Sequence, residues 1–124
     1  MKPNIAGLAA ALALAVMLLT SCSSGQPVDL EAVEATLATK PETVAAGSPA
    51  ELQATFTGLN VSDKASVTFD IRVNGKPKLV DAAYQGDGVF SGSFTFPEQG
   101  SYTVYIHLYA DDIHLTKKKA VEVR

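Results

Sequence analysis

The chain has 124 residues, 47% of them apolar, and carries ten Lys plus Arg against 13 Asp plus Glu, for a net charge of −3. A chain of this size builds one hydrophobic core and not two, and its acidic balance argues against a polyanion-binding surface, so no nucleic-acid partner is expected. The single cysteine excludes an internal disulfide framework, a CxxC redox pair and a multi-thiolate zinc cluster.

The chain opens with Met1-Lys2-Pro3-Asn4, a positive start, followed by an uncharged run from Ile5 to Leu19. That run is shorter than the roughly 20 residues that span a bilayer as a helix, and it reads as an export signal occupying residues 1–21. It ends in Leu19-Thr20-Ser21-Cys22, which resembles the lipobox of bacterial lipoproteins: an aliphatic residue, two small residues and the cysteine that is modified. The resemblance implies cleavage after Ser21 and a diacylglyceryl group on the Cys22 sulfur, with fatty acyl chains such as palmitate holding the protein on a membrane. Two acyl chains anchor stably where one does so only marginally. An extracytoplasmic, membrane-tethered protein is expected, on either a Gram-positive surface or a Gram-negative envelope. Residues 22–30, including Ser23-Ser24-Gly25-Gln26-Pro27, read as a flexible tether.

From Glu31 to Arg124 the apolar period is two rather than 3.6, with turn residues between the runs, which predicts one all-β domain with no helix. Val33, Ala35 and Leu37 form one face of a first strand that ends at Lys40-Pro41; its Ala and Glu content also permits a helix, but the alternation favours a strand. Ala50, Leu52, Ala54 and Phe56 share a face of the second. Val67, Phe69, Ile71 and Val73 alternate with Ser66, Thr68, Asp70 and Arg72 in the third, the clearest half-buried strand of the chain. Asn74-Gly75 suits a type I′ hairpin turn, and a short strand from Leu79 to Tyr84 should follow.

After a turn at Gly86-Asp87-Gly88, Phe90, Phe94 and Phe96 fall on one face, with Ser91, Ser93 and Thr95 on the other. Gly92 within this strand is read as a packing requirement. Tyr102, Val104, Ile106 and Leu108 form the inward stripe of the sixth strand, and Thr103, Tyr105, His107 and Tyr109 face outward. A two-residue turn at Asp111-Asp112 places Leu108 opposite Leu115 in a last strand running from Leu115 to Val123. The expected architecture is a seven-stranded antiparallel β-sandwich. In that register Lys117 and Lys119 share the inward face, where their stems can snorkel to water; a bulge near Thr116 would serve equally well.

The run Gly86-Asp87-Gly88-Val89-Phe90-Ser91, the run Phe96-Pro97-Glu98-Gln99-Gly100-Ser101-Tyr102-Thr103-Val104, and His114 shortly before Lys117-Lys118-Lys119 combine with the lipobox. Together these features resemble the YtkA-like family of small bacterial lipoproteins, distantly similar to FixH-type proteins of respiratory oxidase assembly. The resemblance covers about residues 31–123 and implies an immunoglobulin-like fold, a connection with copper handling, and an envelope protein or respiratory assembly factor as partner; a monomer is expected. The family's Met-His segment corresponds here to Ala110-Asp111-Asp112-Ile113-His114-Leu115, in which the histidine is present and the methionines are absent. Without thioether ligands Cu(I) loses its soft donors, so a site here would favour Cu(II), Zn(II) or Ni(II).

In the proposed register His107 faces Thr116 and Tyr109 faces His114, which makes His107 and His114 diagonal neighbours about 7–8 Å apart at Cα. Two imidazoles at that separation, with Asp111 or Asp112 supplying an oxygen from the turn, form a candidate divalent-metal site. The same residues also read as an ordinary solvated surface. A third reading takes Tyr105 and Tyr109 as an aromatic patch for a protein partner. No nucleophile elbow, P-loop, dinucleotide fingerprint or HExxH occurs, and adjacent Asp111 and Asp112 point in different directions, so no enzyme is expected.

Overall fold

The alternating apolar pattern is realised as seven strands: β1 (Glu34–Lys40), β2 (Pro49–Thr57), β3 (Ser66–Val73), β4 (Lys76–Gly86), β5 (Val89–Thr95), β6 (Gly100–Ala110) and β7 (Ile113–Val123). The computed structural model describes residues 28–124. The expected signal segment 1–21, Cys22 with its expected lipid, and the tether through Pro27 lie outside the described residues. The chain enters the fold through a single 3₁₀ turn, Leu30–Ala32, whose first turn is capped by the Asp29 side chain accepting from the Glu31 amide.

All pairings are antiparallel, and the strands lie in the order β1-β2-β5-β4-β3-β6-β7. Four strands, β1, β2, β5 and β4, make one layer, and β3, β6 and β7 make the other, with β4 hydrogen-bonded to both β5 and β3. This is the ABED/CFG order of an immunoglobulin-like sandwich, drawn nearly into a barrel by the continuous β4–β3 pairing. The opposite side closes at one end. There the segment after β1 runs alongside the end of β7: Val44 bridges Val123, the Arg124 amide donates to Val44 O at 2.8 Å, and Ala46 N donates to Arg124 O at 2.8 Å.

The inward stripes of both layers meet in one core. Leu52, Ala54, Phe69, Ile71, Phe96, Val104, Ile106 and Leu108 are all fully buried, and Phe90 and Val67 nearly so. Gly92 faces this core from β5, and a Cβ there would stand 2.9 Å from Val80 Cγ1 and 3.3 Å from Asp81 O. The glycine is required by close packing, as the sequence predicts. Tyr102 forms the tyrosine corner of the fold: its hydroxyl donates to Glu98 O at 2.7 Å and accepts from the Glu98 amide at 3.2 Å.

Several boundaries differ from the sequence reading. β4 runs from Lys76 to Gly86 rather than from Leu79 to Tyr84. Pro77 is tolerated in it because β5 pairs β4 only from Ala83 onward, so the missing proline N–H faces no ladder partner on that side. β7 begins at Ile113, directly after the turn. The β6–β7 ladder is unbroken from Ala110↔Ile113 to Gly100↔Val123, so there is no bulge at Thr116; Lys117 and Lys119 take the inward face, half-buried. The register shift occurs instead between Tyr84 and Gly86. Ser91, assigned to the polar face of β5, is buried at 8% exposure.

Candidate functional site

The outer face of β3, β6 and β7, continued onto the part of β4 that pairs with β3, carries a dense set of interacting polar and aromatic side chains. The ladders set it out in rows across the strands. One row reads Leu79, Asp70, Tyr105, Lys118, and the next reads Asp81, Thr68, His107, Thr116. With strands about 4.8 Å apart, each row of four spans about 14 Å.

Asp70 occupies the middle of this face and is only 5% exposed, although its neighbours Phe69 and Ile71 point the other way, into the core. β3 is flanked on both sides, so Leu79 and Tyr105 wall in an outward carboxylate that an edge strand would leave in water. Arg72 Nη2 donates to Asp70 Oδ2 at 2.8 Å, and the same guanidinium lies over the Tyr105 ring, 5.2 Å from its centroid. His107 Nε2 lies 3.6 Å from the same Oδ2. The second carboxylate oxygen, Oδ1, is buried and has no hydrogen-bond partner. A buried oxygen left unpaired costs free energy, so the fold holds this carboxylate against a local penalty.

His107 is hydrogen-bonded at one ring nitrogen and faces a carboxylate with the other. Its Nδ1 shares a hydrogen bond of 3.1 Å with Thr116 Oγ1 across the β6–β7 ladder, and Nε2 points toward Asp70. On its other flank Thr68 Oγ1 donates to Asp81 Oδ1 at 3.2 Å. His114 lies 6.0 Å from the His107 ring, centroid to centroid, and stacks on Tyr109 at 4.2 Å with an interplanar angle of 19°. Tyr109 is 46% exposed and Leu79 67% exposed, and they bracket the network with apolar surface.

The register expected for the last hairpin is the observed one: Leu108 faces Leu115, His107 faces Thr116 and Tyr109 faces His114. The structure therefore brings His107, His114, Tyr105 and Tyr109 to one face. Asp111 and Asp112 form the turn beyond it, with Asp111 at φ 52°, and Asp111 lines a shallow depression with Asn60, Ser62 and Lys64. Among the described residues no group of three or more His, Cys, Asp or Glu is arranged to hold a metal ion. The two imidazoles form a pair, and the carboxylate beside His107 belongs to Asp70 rather than to the turn.

Thr68, Asp70, Arg72, Leu79, Asp81 and Thr116 are the members of the site that the sequence reading did not single out. An Asp followed two residues later by an Arg on the polar face of a regular strand was the available signal, since such residues share a face. The surface depressions among the described residues are open to solvent. Searched against family models and against curated proteins, the chain matches none.

Proposed function

We propose that the protein is a lipid-anchored, extracytoplasmic binding module of YtkA-like type that engages an envelope protein through the outer face of β4-β3-β6-β7 and carries out no catalysis. One observation carries this reading: the buried Asp70 carboxylate is locked by Arg72 beside His107 and flanked by Leu79 and Tyr105, with exposed Tyr109 further along the same face of β6. A preorganised charged group within an exposed apolar and aromatic surround has the make-up of an interface centre. The lipobox at Leu19-Thr20-Ser21-Cys22 supports the anchoring. A photocrosslinking residue at Tyr109 tests the face in intact cells. A discrete adduct from that position, and none from Gln53 on the opposite layer, is expected; equal labelling from both positions, or none from Tyr109, refutes it.

The His107–His114 pair favours a second reading, in which the face takes up Cu(II) or Zn(II). The two imidazoles would be the ligands, with Asp70 the nearest carboxylate. Calorimetric titration separates the readings: a single site abolished by His107→Ala or His114→Ala supports the metal, and heats equal to the buffer blank remove it.

A further inference from the structure

The strand order ends at β7, and this edge is long and regular. Two features fix which of its backbone groups are free. The turn Asp111-Asp112 closes on the pair Ala110 and Ile113, and the pair flanking a two-residue hairpin turn exchanges both of its hydrogen bonds. At the other end Arg124 turns its amide and carbonyl away from β6 and toward Val44 and Ala46. By the period of two, Leu115, Lys117, Lys119 and Val121 direct their backbone groups at β6, while His114, Thr116, Lys118, Ala120 and Glu122 direct theirs outward. Apart from the bonds at Arg124, no backbone hydrogen bond of the described residues is made on that side of β7, and only at its Ala120–Glu122 end do Leu37 and Thr39 of β1 come beside it, across a depression open to solvent. The side chains of these five residues are all exposed.

We propose that this edge binds an extended acidic segment of a partner protein, which adds to β7 as an eighth strand. Strand addition supplies main-chain hydrogen bonds from the free edge, and side chains at alternate positions supply specificity. Lys117, Lys118 and Lys119 place cations on both faces of the edge, Lys118 outward and Lys117 and Lys119 inward. Carboxylates at successive positions of an added strand would therefore meet an ammonium whichever way they point, and opposite charges paired across strands attract. The same lysines oppose the other ready occupant, a second copy of this chain. Pairing β7 with β7 would set like charges against each other. β1 of a second copy offers only Glu34 against them, and carries Lys40 as well.

This inference deepens the binding-module reading and rests on it. The test uses the full-length protein purified in detergent and an acetylated, amidated heptapeptide, Thr-Val-Glu-Glu-Glu-Val-Thr. Saturable binding is expected, weakened at least tenfold by the joint substitutions Lys117→Gln, Lys118→Gln and Lys119→Gln. Hydrogen exchange should show new protection at the amides of Thr116, Lys118 and Ala120. The amides of Leu115, Lys117 and Lys119, already bonded to β6, should not change. A peptide N-methylated at every residue keeps the charge but loses the N–H donors of both rows, and should bind at least tenfold more weakly. Equal binding by the N-methylated peptide, equal binding by a peptide with Lys in place of Glu, or no protection on β7 at millimolar peptide each overturns the proposal. If the peptide fails while the Tyr109 crosslink persists, strand addition falls and the outer-face reading stands.

Discussion

Asp70 Oδ2 lies 3.6 Å from His107 Nε2, joining the middle of β3 to the middle of β6 across the outer face of the sheet. The carboxylate is buried while its strongest partner, Arg72, has a side chain 42% exposed. The pair therefore combines the desolvation of one ion with a counter-ion still partly in water, which is a poor arrangement for stability. What it does secure is the placing of the Arg72 guanidinium and the His107 imidazole on the outer face around one buried carboxylate.

This asymmetry predicts that Asp70→Val leaves the domain as stable as the parent or more stable by about 1 kcal/mol, because an apolar isostere removes a desolvated charge and a buried oxygen without a partner. Urea unfolding measures the change. Crosslinking from Tyr109 should fall in the same variant. A loss of stability exceeding about 2 kcal/mol would mean that the carboxylate holds the fold together instead of serving the surface.

Thr116→Val keeps the shape of the side chain and removes the hydroxyl that fixes His107 Nδ1. Stability should stay within about 0.5 kcal/mol, as is usual for surface positions, while the imidazole nitrogen resonances of His107 shift and those of His114 do not. Unchanged His107 resonances would show that Thr116 does not orient the ring.

Tyr102→Phe removes both hydrogen bonds between the phenol and the Glu98 backbone at the start of β6. The expected cost is about 1–2 kcal/mol, read as a drop in Tm of about 4–8 °C per kcal/mol for a domain of this size. No drop would mean that ring packing alone secures the corner.

Gly92→Ala drives a methyl group to within 2.9 Å of Val80 Cγ1 and should destabilise by about 1–3 kcal/mol through overpacking. Combining it with Val80→Ala removes the nearest clashing atom. The double variant should recover part of the loss, giving a coupling measurable by a double-mutant cycle. Strict additivity of the two changes would place the strain elsewhere, at the Asp81 carbonyl.

The local features of this chain were legible before its fold. Alternation assigned the faces of β2, β3 and β6, and Asn74-Gly75 and Asp111-Asp112 marked two tight turns. The length of the second turn was enough to align His107 with Thr116 and Tyr109 with His114, because a hairpin register depends on residues that are adjacent in the chain. The choice between inward lysines and a bulge in β7 stayed open, since both satisfy the same apolar pattern; the unbroken ladder settles it.

Asp70 shows where local reading stops. In the sequence it is one polar residue among four on the outer face of β3, equivalent to Ser66 and Thr68. Its burial follows from β3 lying between β4 and β6, and its proximity to His107 joins residues 37 positions apart in the chain. Period and turn chemistry thus settle which side of each strand meets the core. Which strands become neighbours, and so which outward side chains end up shielded, paired or left at an open edge, follows from long-range packing of whole layers that no short stretch of residues encodes.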